Sequence, residues 1–215
     1  MTPTIPSHTA LLPVMEHFYT IQGEGYHQGR AAYFIRLGGC DVGCVWCDVK
    51  DSWDAESHRK MSVTDLVNEV LINASPTSGG REGALVVITG GEPLMHNLNE
   101  LTVALQSAGL KTNIETSGTH PLSGNWDWIC LSPKKFKAPL SDLLPVANEL
   151  KVVVFNTSDF DWAEKYARLV SADCKLYLQP EWEQAAVVTP LIIEYIKQNP
   201  QWELSLQIHK YINVP

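Results

Sequence analysis

The sequence predicts an α/β fold: a partial, open TIM-like barrel of about six to seven mostly parallel strands with few helices. Three observations predict it. Short apolar, strand-like runs alternate with helix-like patterns along the chain. Polar motifs rich in Gly, Ser and Pro follow most of these runs, as they do at the ligand-binding end of a parallel barrel. The 215 residues are few for a closed eight-fold barrel, which typically needs about 250. A doubly wound sheet is the alternative architecture.

Residues 32–37 (AYFIRL) read as the first strand. Ser62 opens a helix, with Asp65 as its capping-box partner and Leu66, Val67, Val70 and Leu71 as its apolar face. Residues 73–83 (NASPTSGGREG) read as a loop. Residues 84–88 (ALVVI) form a continuous apolar run suited to a parallel strand covered on both faces. A helix follows over 99–108, stopped by Gly109. Residues 112–115, 128–131 and 150–155 (LKVVVF) read as strands. Ser158 caps a helix running to about Val170, and a strand follows at 175–178. Thr189 and Pro190 supply an N-cap and a first-turn proline for the last helix, which ends near Asn199 and Pro200. Residues 202–206 make the final strand, and a short tail ends at Pro215. There is no internal repeat, and one domain over residues 1–215 is expected.

Composition excludes several classes. Hydrophobic residues make up 45% of the chain, as in a globular protein. No apolar run approaches the roughly 18 residues of a membrane span. The N-terminal stretch lacks the positive flank of a signal peptide, so a cytoplasmic location is expected. A net charge of −8 without a basic block argues against nucleic acid as a partner.

The strongest motif is GGCDVGCVWCDVK, which places Cys40, Cys44 and Cys47 within eight residues. Three thiolates can hold three irons of a four-iron cluster and leave the fourth iron open to a cofactor. A structural zinc site wants four protein ligands, and no second Cys or His pair follows at suitable spacing. A zinc-binding module is therefore the weaker reading. Asp41, Gly43 and Asp48 are interleaved with the cysteines, which disfavours plain core packing; Cys130 and Cys174 lie in or beside apolar runs and read as buried thiols. The second motif is TGGEP at 89–93. Its glycines allow close backbone approach to a ligand and its carboxylate suits an amine, although an ordinary strand-to-helix turn also fits.

Together these two motifs resemble the radical S-adenosylmethionine superfamily. The resemblance implies a [4Fe–4S] cluster on Cys40, Cys44 and Cys47, with S-adenosylmethionine chelating the open iron. It also implies that Gly90, Gly91 and Glu92 hold the methionine amine, and that reduction cleaves the cofactor to a 5′-deoxyadenosyl radical. Within that superfamily, TIQGEG (20–25), FIRLGGC, ETSGT (115–119), SPK (132–134), QPE (179–181) and the ending HKYINVP resemble the 7-carboxy-7-deazaguanine synthase family. This implies conversion of 6-carboxy-5,6,7,8-tetrahydropterin to 7-carboxy-7-deazaguanine and ammonia by radical ring contraction, on the route to queuosine.

By the same resemblance, Ile21, Gln22 and Gly23 line the substrate pocket with Glu24 near it, and Arg36 and Thr89 bind the pterin. Trp46, Cys47, Asp48, Gly91, Ser132, Pro133, Lys134, Gln179, Pro180, Glu181 and Trp182 surround S-adenosylmethionine, while His209 and the carboxylate of Pro215 approach the substrate. The chemistry suits these roles. An aminopyrimidinone edge carries donors and acceptors; Gln22 offers both, and carboxylates accept from N–H groups. A guanidinium suits the substrate's carboxylate. Arg36 alternates with Ile35 and Leu37, so it faces either the barrel mouth or solvent.

One position departs from the family pattern. A Thr or Ser usually follows the last cysteine by two residues and helps hold Mg²⁺; here Val49 has no side-chain oxygen, and neither Asp48 nor Asp51 is assigned to the ion. The resemblance further implies a flavodoxin- or ferredoxin-type electron donor and a homodimer. A glycyl-radical activating enzyme would share the cysteine triplet, but TIQGEG and QPE argue against it.

Overall fold

The computed structural model describes residues 10–74 and 83–215, so residues 75–82 of the loop expected over 73–83 lie outside the described residues. Among these residues nine strands form one open sheet, in the order β3-β1-β2-β4-β5-β6-β7-β8-β9. They are β1 (Leu11–Ile21), β2 (Ala31–Leu37), β3 (Arg59–Ser62), β4 (Leu85–Gly90), β5 (Lys111–Thr116), β6 (Trp128–Leu131), β7 (Glu149–Val154), β8 (Lys175–Pro180) and β9 (Trp202–Leu204). From β2 onward every neighbouring pair is parallel. These are the strands read from sequence, and the expected partial barrel is the fold observed. The additional strands β1 and β3 are antiparallel additions outside β2.

The helices are α1 (Val63–Asn73), α2 (Asn99–Ser107), α3 (Ser158–Ala167), α4 (Ala185–Gln198) and α5 (Ile208–Ile212). Ser62 caps α1 as its sequence predicts: its Oγ accepts from Asp65 N at 3.1 Å. On the outer face of the sheet, Ile35, Leu37, Val86, Ile88 and Ile114 pack against Leu66, Val67, Val70, Leu101 and Leu105. A second outer layer joins Leu150, Val152, Val154 and Leu178 to Ala163, Tyr166, Val188 and Ile192. On the inner face Ala32, Phe34, Leu85 and Val87 gather around Phe18. Strand alternation therefore puts Arg36, which follows Phe34 by two, on the inner face.

A β-bulge between Val14 and Glu16 interrupts the pairing of β1 with β2. Leu12 and Val14 belong to the outer layer, whereas Phe18 packs inside. The extra residue reverses the strand's alternation, so no single period-2 pattern runs through β1.

Two helix starts differ from the expectation. Ser158 is the first residue of α3, not its cap; Thr157 precedes it, and Asn156 Oδ1 accepts from Ser158 N at 3.0 Å. That helix ends at Ala167, short of Val170. α4 starts at Ala185, so Pro190 lies inside it and forgoes one helical hydrogen bond. The earlier start follows from Glu181, whose carboxylate accepts from Glu183 N (3.2 Å) and Gln184 N (3.0 Å) and winds the preceding turn. The final strand stops at Leu204, and the tail beyond it forms α5. No helix among the described residues is long and apolar enough to cross a membrane.

Candidate active site

The cysteine loop leaves the end of β2 and is stitched to its neighbours by backbone bonds. Gly39 N donates to Ser52 O (2.6 Å), Cys40 N to Trp53 O (3.1 Å) and Cys47 N to Cys44 O (3.2 Å). The turn after β4 locks onto its root: Gly91 N donates to Leu37 O (3.0 Å) and Glu92 N to Gly39 O (2.8 Å). The glycines here are required by contact. A Cβ on Gly90, whose φ is +147°, would lie 2.2 Å from Leu37 O; one on Gly91 would lie 2.3 Å from Gly39 O and 2.7 Å from Cys40 Cβ.

Glu92 does not face the cavity. It is buried, and its carboxylate accepts from Leu94 N (3.0 Å), Thr116 Oγ1 (2.5 Å), Ser117 N (2.8 Å) and Ser117 Oγ (2.5 Å). It ties the β4 turn to the end of β5 instead of reaching a ligand through its side chain. Pro133 is likewise buried off the wall, its carbonyl accepting from Trp162 Nε1 at 3.4 Å. Every other residue assigned to the site lines one cavity of about 260 Å³.

Cys40, Cys44 and Cys47 line that cavity, none in a disulfide. Among the described residues no three Cys, His, Asp or Glu side chains converge on a single ion; the three thiols share a loop and a wall. Burial pushes the Cys44 thiol up to about 11, so ligation by iron must displace its proton. Trp46, Asp48, Thr89, Gly90 and Gly91 flank the triplet. Ser132 and Lys134 enter from the end of β6, Lys134 Nζ donating to Ser132 Oγ at 2.6 Å and lying 5.3 Å from the Trp46 ring. Gln179, Pro180, Glu181 and Trp182 enter from β8. Val49 lines the cavity with its isopropyl group, and Asp48 Oδ2 accepts from Lys210 Nζ at 2.9 Å.

Another part of the wall is built from the loop after β1. Gln22 Nε2 donates to Glu115 Oε1 (2.8 Å), Gln207 Nε2 to Glu24 Oε1 (2.8 Å) and Gly25 N to Ser205 Oγ (2.9 Å). Ile208 N donates to Gly23 O at 3.0 Å, and a Cβ on Gly23 would strike the His209 ring at 2.0 Å. The glycine is what lets His209 close against this loop. Burial lowers the pKa of His209 below 6.5, so the ring is neutral at pH 7. Arg36 Nε donates to Glu16 Oε1 at 2.6 Å and lines the cavity, as does Pro215.

Sequence reasoning missed Lys151 and gave no role to Glu115 or Gln207. Lys151 is buried and pairs with Glu24 and, at 3.5 Å, with Glu115. Burial alone would raise Glu24, but Lys151 and Gln207 outweigh it and hold the carboxyl at about 2. Burial would lower Lys151, but Glu115 and Glu24 hold it well above the usual lysine value.

Three free thiols on one loop, a glycine cradle beside them and polar side chains on the same cavity fit an iron–sulfur cluster with a bound cofactor. The model of the Radical SAM superfamily matches residues 34–133. Fold and site thus define a radical S-adenosylmethionine enzyme. A 7-carboxy-7-deazaguanine synthase of Flavobacterium psychrophilum is 50% identical over 205 residues, 95% of this chain and 93% of the relative. One of Synechocystis sp. is 48% identical over 100% of this chain and 99% of the relative, and one of Escherichia coli K12 is 35% identical over 94% and 98%. The crystal structure of QueE from Escherichia coli superposes with a TM-score of 0.77 at 34% identity, covering 91% of this chain and 93% of that one. The chain belongs to the 7-carboxy-7-deazaguanine synthase family. Membership of this family displaces the zinc-module and glycyl-radical alternatives.

Proposed function

We infer that this chain converts 6-carboxy-5,6,7,8-tetrahydropterin to 7-carboxy-7-deazaguanine and ammonia, a step of queuosine and 7-deazapurine synthesis. The observation that carries this reading is that one cavity joins the cysteine loop to a cluster of carboxylates, amides and a guanidinium suited to a carboxylated pterin. A [4Fe–4S] cluster on Cys40, Cys44 and Cys47, with S-adenosylmethionine on its open iron, would supply radical hydrogen abstraction once reduced by one electron.

The chain's own residues position and enclose. Trp46, Asp48, Gly91, Ser132, Lys134 and the segment 179–182 would hold the cofactor, with Glu92 and Pro133 setting the backbone beneath them. Arg36 offers its guanidinium to the substrate carboxylate. Gln22, Glu24, Thr89 and the Pro215 carboxylate meet the donors and acceptors of the ring. Neutral His209, closed over the loop by Gly23, can donate or accept one hydrogen bond at its ring nitrogens. The buried walls exclude water while the ring contracts. A flavodoxin- or ferredoxin-type protein is the reductant this family reading supports, and a homodimer is the assembly it supports.

Mg²⁺ fits the residues less well. Val49 supplies no oxygen, and an oxygen of Asp48 already accepts from the Lys210 ammonium. Chelator-treated, cluster-loaded enzyme should therefore keep turnover within about twofold of the Mg²⁺-supplied enzyme; a drop beyond about tenfold, restored by Mg²⁺, would reverse that view.

The test of function is product identification. Anaerobically reconstituted enzyme, given the carboxypterin, S-adenosylmethionine and dithionite, should yield 7-carboxy-7-deazaguanine by mass and chromatography. Robust cofactor cleavage without that product would defeat the reading.

A further inference from the structure

One buried cation stands among the carboxylates of the cavity. Lys151 lies mid-strand in β7 on the inner face, its side chain 4% exposed. Its ammonium reaches Glu24, from the loop after β1, and Glu115, from the end of β5. Both carboxylates line the cavity, 15% and 20% exposed. Their remaining side-chain partners are the amides of Gln207, on Glu24 Oε1, and Gln22, on Glu115 Oε1. Both carboxylates thus receive hydrogen bonds from two sides, and neither is set up to carry a proton.

We propose that Lys151 is a positioning residue that holds the Glu24 and Glu115 carboxylates side by side on one ammonium, so that the cavity presents paired acceptors to the amino and ring N–H donors of the substrate's aminopyrimidinone edge. The identity of that ring rests on the proposed function. Two partly buried carboxylates held on one nitrogen cannot both stay charged once the cation is removed; they come to share a proton, and one oxygen becomes a donor facing donors.

Other ionisable groups around Lys151 do not replace it. Glu149, on the same strand, accepts from Trp128 Nε1 (2.9 Å) and Tyr26 N (3.3 Å). Cys130 on β6 is a buried thiol, Lys134 is turned to Ser132, and His209 on α5 is neutral at pH 7. Tyr177 on β8 is held protonated, chiefly by burial.

The test measures anaerobic binding of 6-carboxytetrahydropterin, and of its 2-oxo analogue, to cluster-loaded enzyme across the neutral pH range. Wild type should bind with little pH dependence and prefer the 2-amino ligand by about 100-fold, because an acceptor pair rejects an oxygen placed against it. Lys151→Met should bind progressively more weakly as pH falls through neutrality, with its preference reduced below about tenfold. Lys151→Arg should restore the flat profile, an outcome that loss of packing alone would not produce. Glu24→Gln, which keeps the shape and removes one charge, should also lower the preference. Folded Lys151→Met matching wild type in pH profile and preference would overturn the proposal. If Lys151→Met fails to fold, full preference in Glu24→Gln would overturn it as well. Wild type binding neither ligand would defeat the proposed function itself, whereas wild type binding with unaltered variants defeats only the role of the lysine.

Discussion

Cys44→Ala should give a folded, colourless protein that neither cleaves S-adenosylmethionine nor forms product. Cys44 is buried on the cavity wall, and its sulfur is one of three on the loop after β2. Removing one leaves two thiols for a cluster that needs three from the protein. Changes merely near a metal site typically cost about 10–100-fold, so loss of a ligand should lower turnover by more than about 100-fold. The same holds for Cys40→Ala and Cys47→Ala. Iron and sulfide content, visible absorbance and product yield after anaerobic reconstitution check it. Cys174→Ala is the control: Cys174 is buried beside β8 and does not line the cavity, so this variant should keep colour and activity. A brown, active Cys44→Ala would remove the cluster assignment.

Glu92→Ala should cause the largest loss of stability among the site residues. Its carboxylate is 1% exposed and gathers four donors, two of them the backbone N–H groups of Leu94 and Ser117. The Thr116 and Ser117 hydroxyls can turn to other acceptors; the buried N–H groups cannot. Each orphaned donor costs about 1–3 kcal/mol, so the variant should unfold at least about 2 kcal/mol more easily. For a chain of this size that is a fall of at least roughly 4–8 °C in melting temperature. Activity should fall as well, because losing the side-chain network loosens the turn whose backbone N–H at position 92, kept in the variant, anchors Gly39 O at the root of the cysteine loop. Chemical denaturation provides the measurement, and a change below about 1 kcal/mol would show the network to be dispensable.

The parallel strands were legible because their apolar runs are short and bounded by polar motifs, as strands under helices must be. β1 was not, because its bulge reverses the alternation that a period-2 reading relies on. The start of α4 was misread because Thr189-Pro190 imitates a helix entry, while the true entry depends on a side chain, Glu181, that precedes the helix. Most of the cavity wall was legible through resemblance, since its motifs follow strand ends that converge. Lys151 was overlooked inside LKVVVF. Its alternation with Leu150 and Val152, which pack outward, was the available signal that an ammonium points into the barrel. Glu92 could not be placed from sequence, because its donors Thr116 and Ser117 come from the end of the next strand.

The bulge in β1 lets a single ribbon serve two compartments. Ahead of it, even-numbered side chains Leu12 and Val14 seal the oily layer; after it, Glu16 meets Arg36 and Phe18 joins the catalytic chamber. Pairing these same residues without the bulge would impose a regular zigzag and hand a charge and an aromatic ring to the wrong side. The extra residue acts as a phase shifter: the distance along the strand stays nearly constant while the chemistry of every later position is exchanged.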